Sequence, residues 1–345
     1  MNLVTHDIAS ALEPLLPDNA DEPVFVLTDS NTARLCLPLV QRGRLAAAHV
    51  ITIESGDENK NLTTLTHIWQ ALVDGGATRH SLLINLGGGM VTDVGGLAAS
   101  TFKRGIRFVN VPTTLLGVVD AATGGKTGIN FCGLKNEIGT FAQPEAVIID
   151  TQFFKTLDEK SLLSGYAEML KHALISDADL LRDTVQFDFE NYSDDQLNDL
   201  ITRNLAIKER IIAADPTEHG QRKVLNFGHT FGHAFESLSH TLGSPLPHGF
   251  AVMWGMVCEL YLSCRLLGLN KATLTDFLYL AKEYYGAFPF SCKNYDALLD
   301  LMHHDKKNEA QNINFTLLAA VGQPKIDQTA PHDLLLEALD FVREN

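Results

Sequence analysis

Three histidines carry the strongest chemical signal in this chain. His229 and His233 stand four residues apart in Asn226-Phe227-Gly228-His229-Thr230-Phe231-Gly232-His233, and His248 follows in Leu246-Pro247-His248-Gly249. Four residues is about one helical turn, so the first two are expected to share a helix face. The third is expected on a Pro-Gly turn. Imidazole is the commonest metal ligand, and it also exchanges a proton near neutral pH. An isolated H-x-x-x-H is more often a packed pair on a helix. Here other polar motifs ask for a shared site.

One of them is Ser164-Gly165-Tyr166-Ala167-Glu168-Met169-Leu170-Lys171-His172. Helical spacing puts Glu168 and Lys171 on one face, and an i,i+3 ion pair is the plain explanation. The functional alternative makes Glu168 the carboxylate of a His₂Glu set with open positions, the pattern of catalytic zinc. Two histidines would then bind metal and one would remain for acid–base work. Spacing alone leaves open which. Lys208, Arg222 and Asn226 precede the histidines. Lys208 falls on a charged helix, where a solvated role is the default. Asn226 and His229 follow Arg222 at helical spacings, which favours a functional Arg222. The cluster His303-His304-Asp305-Lys306-Lys307 has little specificity alone.

Two glycine motifs point to phosphate. Gly87-Gly88-Gly89-Met90-Val91-Thr92-Asp93 follows a strand and precedes a helix. Glycines there let the backbone approach a pyrophosphate at a helix N-terminus. The G-x-G-x-x-G fingerprint fails, because Thr92 stands at its last glycine; a tight strand-to-helix turn is the plain alternative. Gly124-Gly125-Lys126-Thr127 resembles the end of a P-loop, but Asp120 replaces the earlier glycine, so nucleoside triphosphate hydrolysis is disfavoured. Lys126, Lys135 and Asn136 still offer charge and amides for a substrate phosphate. Otherwise they are solvated surface groups.

These residues need a scaffold. Short apolar runs at Val24–Asp29, His49–Ile53, Ser81–Leu86, Phe108–Val111 and Ala146–Asp150 alternate with helical segments such as Leu62–Val73. That alternation indicates a parallel α/β sheet. Ligands of such sheets bind at the carboxyl ends of the strands, where Asp29, Gly87 and the Pro112-Thr113-Thr114 segment fall. After about residue 155 the pattern turns helical: Leu157–Ile175, Leu197–Ala213, Phe227–Ser239 and Ala251–Leu266, with a late strand near 313–318. The expected division is therefore an α/β domain over 1–155 and a mainly helical one over 156–345, with the site in a cleft between them.

Composition narrows the classes. A chain of 345 residues exceeds one ordinary core. The formal charge of −15 argues against nonspecific binding of nucleic acid or anionic membranes. It permits a small anion held by a local basic cluster. No apolar run is long enough to span a bilayer, and the first residues lack the pattern of a signal peptide. Five widely spaced cysteines form no C-x-x-C pair, which favours a reducing cytoplasm over a thiolate zinc site or a disulfide framework.

Taken together, the motifs resemble the 3-dehydroquinate synthases, members of the sugar-phosphate cyclases. The resemblance runs from Asp29 through GDENK (56–60), GGGMVTD (87–93), RGI (104–106) and PTTLLGVVDAATGGKTGIN (112–130). It continues through LKNEIGTF (134–141), GYAEMLKH (165–172), LNFGHTFGHAFE (225–236), LPHG (246–249) and DKKN (305–308). It covers almost the whole chain in order and implies a Rossmann-like first domain. It assigns one divalent metal, zinc or cobalt, to Glu168, His229 and His248, and leaves His233 facing the substrate. It places NAD on Asp29, Asn31, Asp57, Glu58, Lys60, Gly88, Gly89, Asp93, Thr113, Thr114, Lys126, Lys135, Phe153 and Thr156. It places a phosphorylated sugar acid on Asp120, Lys126, Asn136, Lys171, Lys208, Arg222, Asn226, His233 and Lys306. The arginine matching Arg104 reaches a neighbouring subunit's site in this family, which implies a homodimer.

The activity so implied converts 3-deoxy-D-arabino-heptulosonate 7-phosphate to 3-dehydroquinate and phosphate, in the shikimate route to aromatic amino acids. Oxidation by NAD, phosphate elimination, re-reduction, ring opening and aldol closure follow one another, and NAD is regenerated. Two departures stand out: Thr92 replaces a common glycine, and Phe250 stands where many members have an acidic residue. The rivals are another sugar-phosphate cyclase, a metal-dependent polyol dehydrogenase of the same architecture, and a noncatalytic NAD- or metal-binding regulator.

Overall fold

The computed structural model describes residues 2–132, 134–216, 218, 220–303 and 313–345. The chain forms two compact units. One is Met1–Asp158 with Asp194–Asn198; the other is Glu159–Ser193 with Asp199–Asn345.

The first unit begins with β1 (Asn2–Val4), α1 (Ile8–Leu12), β2 (Val24–Asp29), α2 (Ser30–Leu35) and α3 (Leu37–Val40). It continues with β3 (His49–Ile53), α4 (Leu62–Asp74), β4 (Leu82–Gly87), α5 (Gly89–Thr101) and β5 (Arg107–Pro112). A hairpin follows, β6 (Lys126–Phe131) and β7 (Leu134–Phe141), and β8 (Val147–Ile149) completes the sheet. The strand order is β1-β8-β5-β4-β2-β3, with every pairing parallel.

Strands β2, β4 and β5 are buried on both faces, which explains their near-continuous apolar runs. Phe25, Leu27 and Leu83 enter one apolar cluster, whereas Val26, Leu82 and Ile84 enter the other, as a period of two requires. Helix α5 lies close on the sheet because Gly95 has no side chain. A Cβ there would sit 2.0 Å from Asn85 Oδ1. The chain goes outward from β2 to β3 and returns to β4 on the other side of β2. Strand order therefore reverses between β2 and β4, the place where open α/β sheets bind ligands.

The second unit holds α6 (Glu159–Ser176), α7 (Ala178–Val185), α8 (Asp194–Ala214), α9 (His229–Thr241) and α10 (His248–Leu266). The first turn of α8 belongs to the other unit. Helices α11 (Lys271–Tyr285) and α12 (Tyr295–His303), the antiparallel pair β9 (Phe315–Ala320) and β10 (Gln323–Gln328), and α13 (His332–Glu344) complete it. Helix α10 is its axis: Gly249 to Leu260 is buried without a break, and α6, α9, α11, α13 and β9 all pack on it. Such a helix reads as apolar all round. No helix among the described residues is long and apolar enough to cross a membrane.

Three local expectations change. Arg222, Asn226 and His229 do not lie on one helix: Gln221–Asn226 is a 3₁₀ turn, and Gly228 at φ 79° breaks the chain before α9. His248 is not on a loop but is the first residue of α10, after Pro247. The P-loop-like Gly125-Lys126-Thr127 leads into strand β6, with no helix to present amides to a phosphate.

Candidate functional site

In the second unit the carboxylate and the two histidines converge. Glu168 is fully buried on α6, and Nε2 of both His229 and His248 lies 3.5 Å from its Oε1. One ligand atom from each of the three residues lies within 4.8 Å of the others. The His233 ring stands next to them, 5.3 Å from His229 and 6.0 Å from His248 between centroids.

Close helix contacts create this convergence. Gly249 follows His248, and a Cβ on it would fall 2.1 Å from Ser164 O. Its N–H donates to Ser164 Oγ at 2.9 Å. Ser164 is one turn before Glu168 on α6, so this contact seats His248 beside the carboxylate. Similarly, Gly255 allows α10 to touch Gly228 and Gly232 of the segment that carries His229.

The electrostatics favour a cation. Burial alone would raise the Glu168 carboxyl; the Lys171 ammonium and the two imidazoles instead hold it well below the usual carboxylate range. Burial would lower His248, but the Glu236 and Glu168 carboxylates override this and push it up to about 10. Lys171 pairs with Glu168 Oε2 as an ion, and the Nε2 atoms of His229 and His248 face Oε1. A fully buried carboxylate is costly unless positive centres meet it. Both histidines have their other nitrogen engaged. Nδ1 of His229 lies 3.1 Å from Phe227 O, and Nδ1 of His248 lies 3.2 Å from Glu236 Oε2. Each therefore turns Nε2 toward Glu168, as metal-ligating histidines do. The donor set and its supports fit a divalent cation.

A shaped loop adjoins this cluster in sequence. Asp215 Oδ2 accepts from the N–H groups of Gly220 and Arg222 at 2.7 and 3.0 Å. Arg222 is buried and donates from Nη1 to Pro216 O at 2.7 Å, while Asn226 Nδ2 donates to Glu218 Oε1 at 3.0 Å. Lys208 on α8 is only 4% exposed, against the default for a lysine on a charged helix.

The first unit places Asp29, Asn31, Gly88, Gly89, Thr113 and Thr114 at the carboxyl ends of β2, β4 and β5. Asp29 ends β2 and caps α2, its Oδ1 accepting from Asn31 and Thr32 N–H at 2.8 Å each. Gly88 caps α5 without a side-chain hydrogen bond. A Cβ on Gly88 would be 3.1 Å from Thr114, and one on Gly89 would be 2.8 Å from Ala121, so the 113–121 segment closes over the turn. Thr113 N–H donates to Gly87 O at 3.0 Å, and Thr114 Oγ1 accepts from Gly117 N–H at 3.0 Å. Thr92, the departure from the glycine pattern, is buried with its hydroxyl on Gly89 O at 3.0 Å. A side-chain-free turn at a helix start, beside the strand-order reversal, fits a dinucleotide pyrophosphate.

Lys60 is buried and joins Asp93 at 2.5 Å and Asn136 Oδ1. Asn136 N–H donates to Asn130 Oδ1, and Asn130 in turn reaches Asp57, which pairs with Lys135 at 3.3 Å. Glu58 follows Asp57 in the same exposed 3₁₀ turn. Lys126 is exposed at the start of β6, and Asp120 sits in the short turn before it. Thr156 donates to Phe153 O at 2.7 Å; the Phe153 ring is fully buried in the sheet core, so that residue offers a ligand only its backbone.

Arg104 stands apart. It follows α5, whose 13 residues separate it by about 20 Å from the glycine turn. Lys103 and Arg104 are both left-handed, at φ 49° and 68°, and line a surface depression with Thr78 and Arg79. Lys306 lies outside the described residues. Glu236 and Glu259, both buried at the histidine helices, escaped notice in the sequence because a glutamate on a helix is usually solvated.

Comparison with known proteins brings a family into view. The N-terminal model of 3-dehydroquinate synthase matches residues 50–164 and the C-terminal model residues 165–308. A 3-dehydroquinate synthase of Parabacteroides distasonis is 50% identical over 344 residues, 99% of this chain and 98% of that protein. Two solved structures share the fold at 24% identity, each covering 100% of this chain and 96% of its own. One is 2-deoxy-scyllo-inosose synthase complexed with carbaglucose-6-phosphate, NAD+ and Co2+, with a TM-score of 0.85. The other is 2-epi-5-epi-valiolone synthase from Streptomyces hygroscopicus subsp. jinggangensis with NAD+ and Zn2+, with a TM-score of 0.84.

Proposed function

The chain belongs to the 3-dehydroquinate synthase family, and from that premise we propose how its residues divide the reaction. The enzyme is a phosphate-eliminating carbon–oxygen lyase of the shikimate pathway. It takes a phosphorylated sugar acid, 3-deoxy-D-arabino-heptulosonate 7-phosphate, to 3-dehydroquinate. When bound, NAD supplies reversible hydride transfer, and a zinc or cobalt ion supplies Lewis acidity at the substrate hydroxyls.

The single observation that carries the reading is the convergence of one ligand atom each from Glu168, His229 and His248 within 4.8 Å of one another. In our assignment these three hold the metal. The first unit, taken as 1–155, holds NAD: Gly88 and Gly89 take the pyrophosphate at the start of α5, with Thr113 and Thr114 over it. Asp29, Asn31, Asp57, Glu58, Lys60, Asp93, Lys135, Phe153 and Thr156 complete that site. The second, 156–345, holds the metal and much of the substrate.

Lys126 and Asn136 bind the phosphate, Lys126 as a point charge that also steadies the group as it leaves. Arg222 and Lys208 take the substrate carboxylate and ring hydroxyls. Burial of these two cations strengthens each contact by excluding water. His233, beside both metal-site imidazoles, moves protons at the substrate hydroxyls. Asn226 orients those hydroxyls, and Asp120, Lys171 and Lys306 complete the pocket. Arg104, distant from the glycine turn of its own chain, serves the phosphate of a partner copy, so the working enzyme is a homodimer. Its free cysteines suit the reducing cytoplasm.

Metal analysis of substituted enzyme tests this reading. His229→Ala and His248→Ala should lose metal and turnover together. Unchanged metal content by elemental analysis would sink the ligand assignment.

A further inference from the structure

The helices that carry the two metal-site histidines each also carry a buried glutamate aimed at the other helix. We propose that Glu236 and Glu259 are positioning residues that form a reciprocal brace, Glu236 on α9 fixing His248 and Glu259 on α10 fixing His229. The inference rests on the metal reading above and extends it to residues that touch neither metal nor substrate.

Glu236 is 6% exposed, one helical turn beyond His233. Its Oε2 lies 3.2 Å from His248 Nδ1, so it accepts that N–H. When Nε2 gives up its proton to a metal, the bond keeps the remaining proton on Nδ1, and it stops rotation of the ring. That Nε2 is the atom 3.5 Å from Glu168 Oε1.

Glu259 acts through the backbone. It is fully buried, 11 residues along α10 from His248, and accepts from Gly228 N–H at 2.7 Å and Thr230 N–H at 3.3 Å. These amides flank His229. They belong to a helix start that lacks a side-chain cap, because its N-cap is Gly228 in the left-handed region. Such amides must find a partner when buried, and a carboxylate also complements the positive end of the helix. His229 Nδ1 donates to Phe227 O, on the same short stretch of backbone. Holding residues 228–230 therefore holds the donor, the acceptor and the direction of Nε2.

Cobalt alone is the probe, added to the metal-free full-length protein. Its affinity is read by chelator competition and its geometry by the visible absorption of the bound ion. Glu236→Gln and Glu259→Gln keep side-chain volume, and each should weaken cobalt binding about 10- to 100-fold and alter the spectrum. Glu259→Gln should also accelerate amide exchange at Gly228 and Thr230. If it does not fold, Glu259→Asp, which withdraws the carboxylate by one methylene, should show the same two effects. His229→Ala runs beside them. Cobalt lost by His229→Ala but held by both glutamate variants at wild-type affinity and spectrum overturns the brace alone. Loss in only one glutamate variant overturns its reciprocity. Cobalt retained by His229→Ala as well overturns the metal reading on which the brace stands.

Discussion

Replacing Gly255 by alanine should disable the metal site from a position that touches no ligand. The Cβ would sit 2.0 Å from Gly228 O and 2.6 Å from Gly232 N, both backbone atoms that cannot swing away. Ordinary contact begins near 3.4 Å, so clearing the first clash separates α10 from α9 by about 1.4 Å, that is 3.4 − 2.0. Metal–ligand distances tolerate only about ±0.2 Å. The helices that part are those bearing His229 and His248. Overpacking against backbone should cost about 3 kcal/mol, or roughly 6–12 °C in melting temperature for a unit of this size. Cobalt affinity should fall at least about 100-fold, the upper end of what losing a supporting contact costs. The control is Leu339→Ala on α13, a fully buried side chain whose loss costs about 2–5 kcal/mol through a cavity. It should lower the melting temperature by a similar amount and leave cobalt affinity unchanged. Wild-type cobalt affinity in Gly255→Ala, or equal loss in Leu339→Ala, would refute the reasoning.

Further outcomes follow from the same geometry. Lys126→Ala should raise the substrate dissociation constant while metal content stays full; retained substrate affinity in calorimetry would remove Lys126 from the phosphate site. Asp29→Ala removes an N-cap that accepts two amides, so it should cost about 1–2 kcal/mol in denaturant unfolding and weaken NAD binding as well. Cys36 is 1% exposed, and burial pushes its thiol from 9.0 up to about 11. The folded thiol keeps its proton while the unfolded one loses it, so stability should fall by about 2–3 kcal/mol as pH rises from 9 to 11. Cys36→Ala should flatten that part of the stability curve; an unchanged slope in urea titrations at the two pH values would contradict the assignment. At pH 8 an alkylating reagent should label the exposed Cys132 and Cys292 and spare Cys36 and Cys258, as read by peptide mass spectrometry.

Much of the architecture was legible because burial leaves a periodic trace. The runs at 24–29 and 82–87 are buried on both faces, as a covered parallel strand must be, whereas 49–53 at the sheet edge buries only Ile51 and Ile53. Strand β1 was not legible: three residues carry no period, and its partner β8 lies far along the chain. Strand β7 was hidden by its exposure, since Leu134 to Gly139 are all exposed and show no apolar alternation. Within the site, residue types were readable but continuity was not. The spacing from Arg222 to His229 looks helical, yet a left-handed glycine interrupts it. Lys208 and the two bracing glutamates are buried charges, and only tertiary contacts reveal a charge taken out of water. The choice of His229 and His248 over His233 needed the family resemblance at the level of sequence. The geometry groups the same pair with Glu168 independently.

The most direct measurement is turnover of 3-deoxy-D-arabino-heptulosonate 7-phosphate by metal-loaded enzyme with NAD, following phosphate, cyclic product and NADH together. Phosphate and 3-dehydroquinate should form in equal amounts with no net accumulation of NADH. NADH accumulating without phosphate release, as a polyol dehydrogenase would give, or the absence of both products, would contradict that expectation.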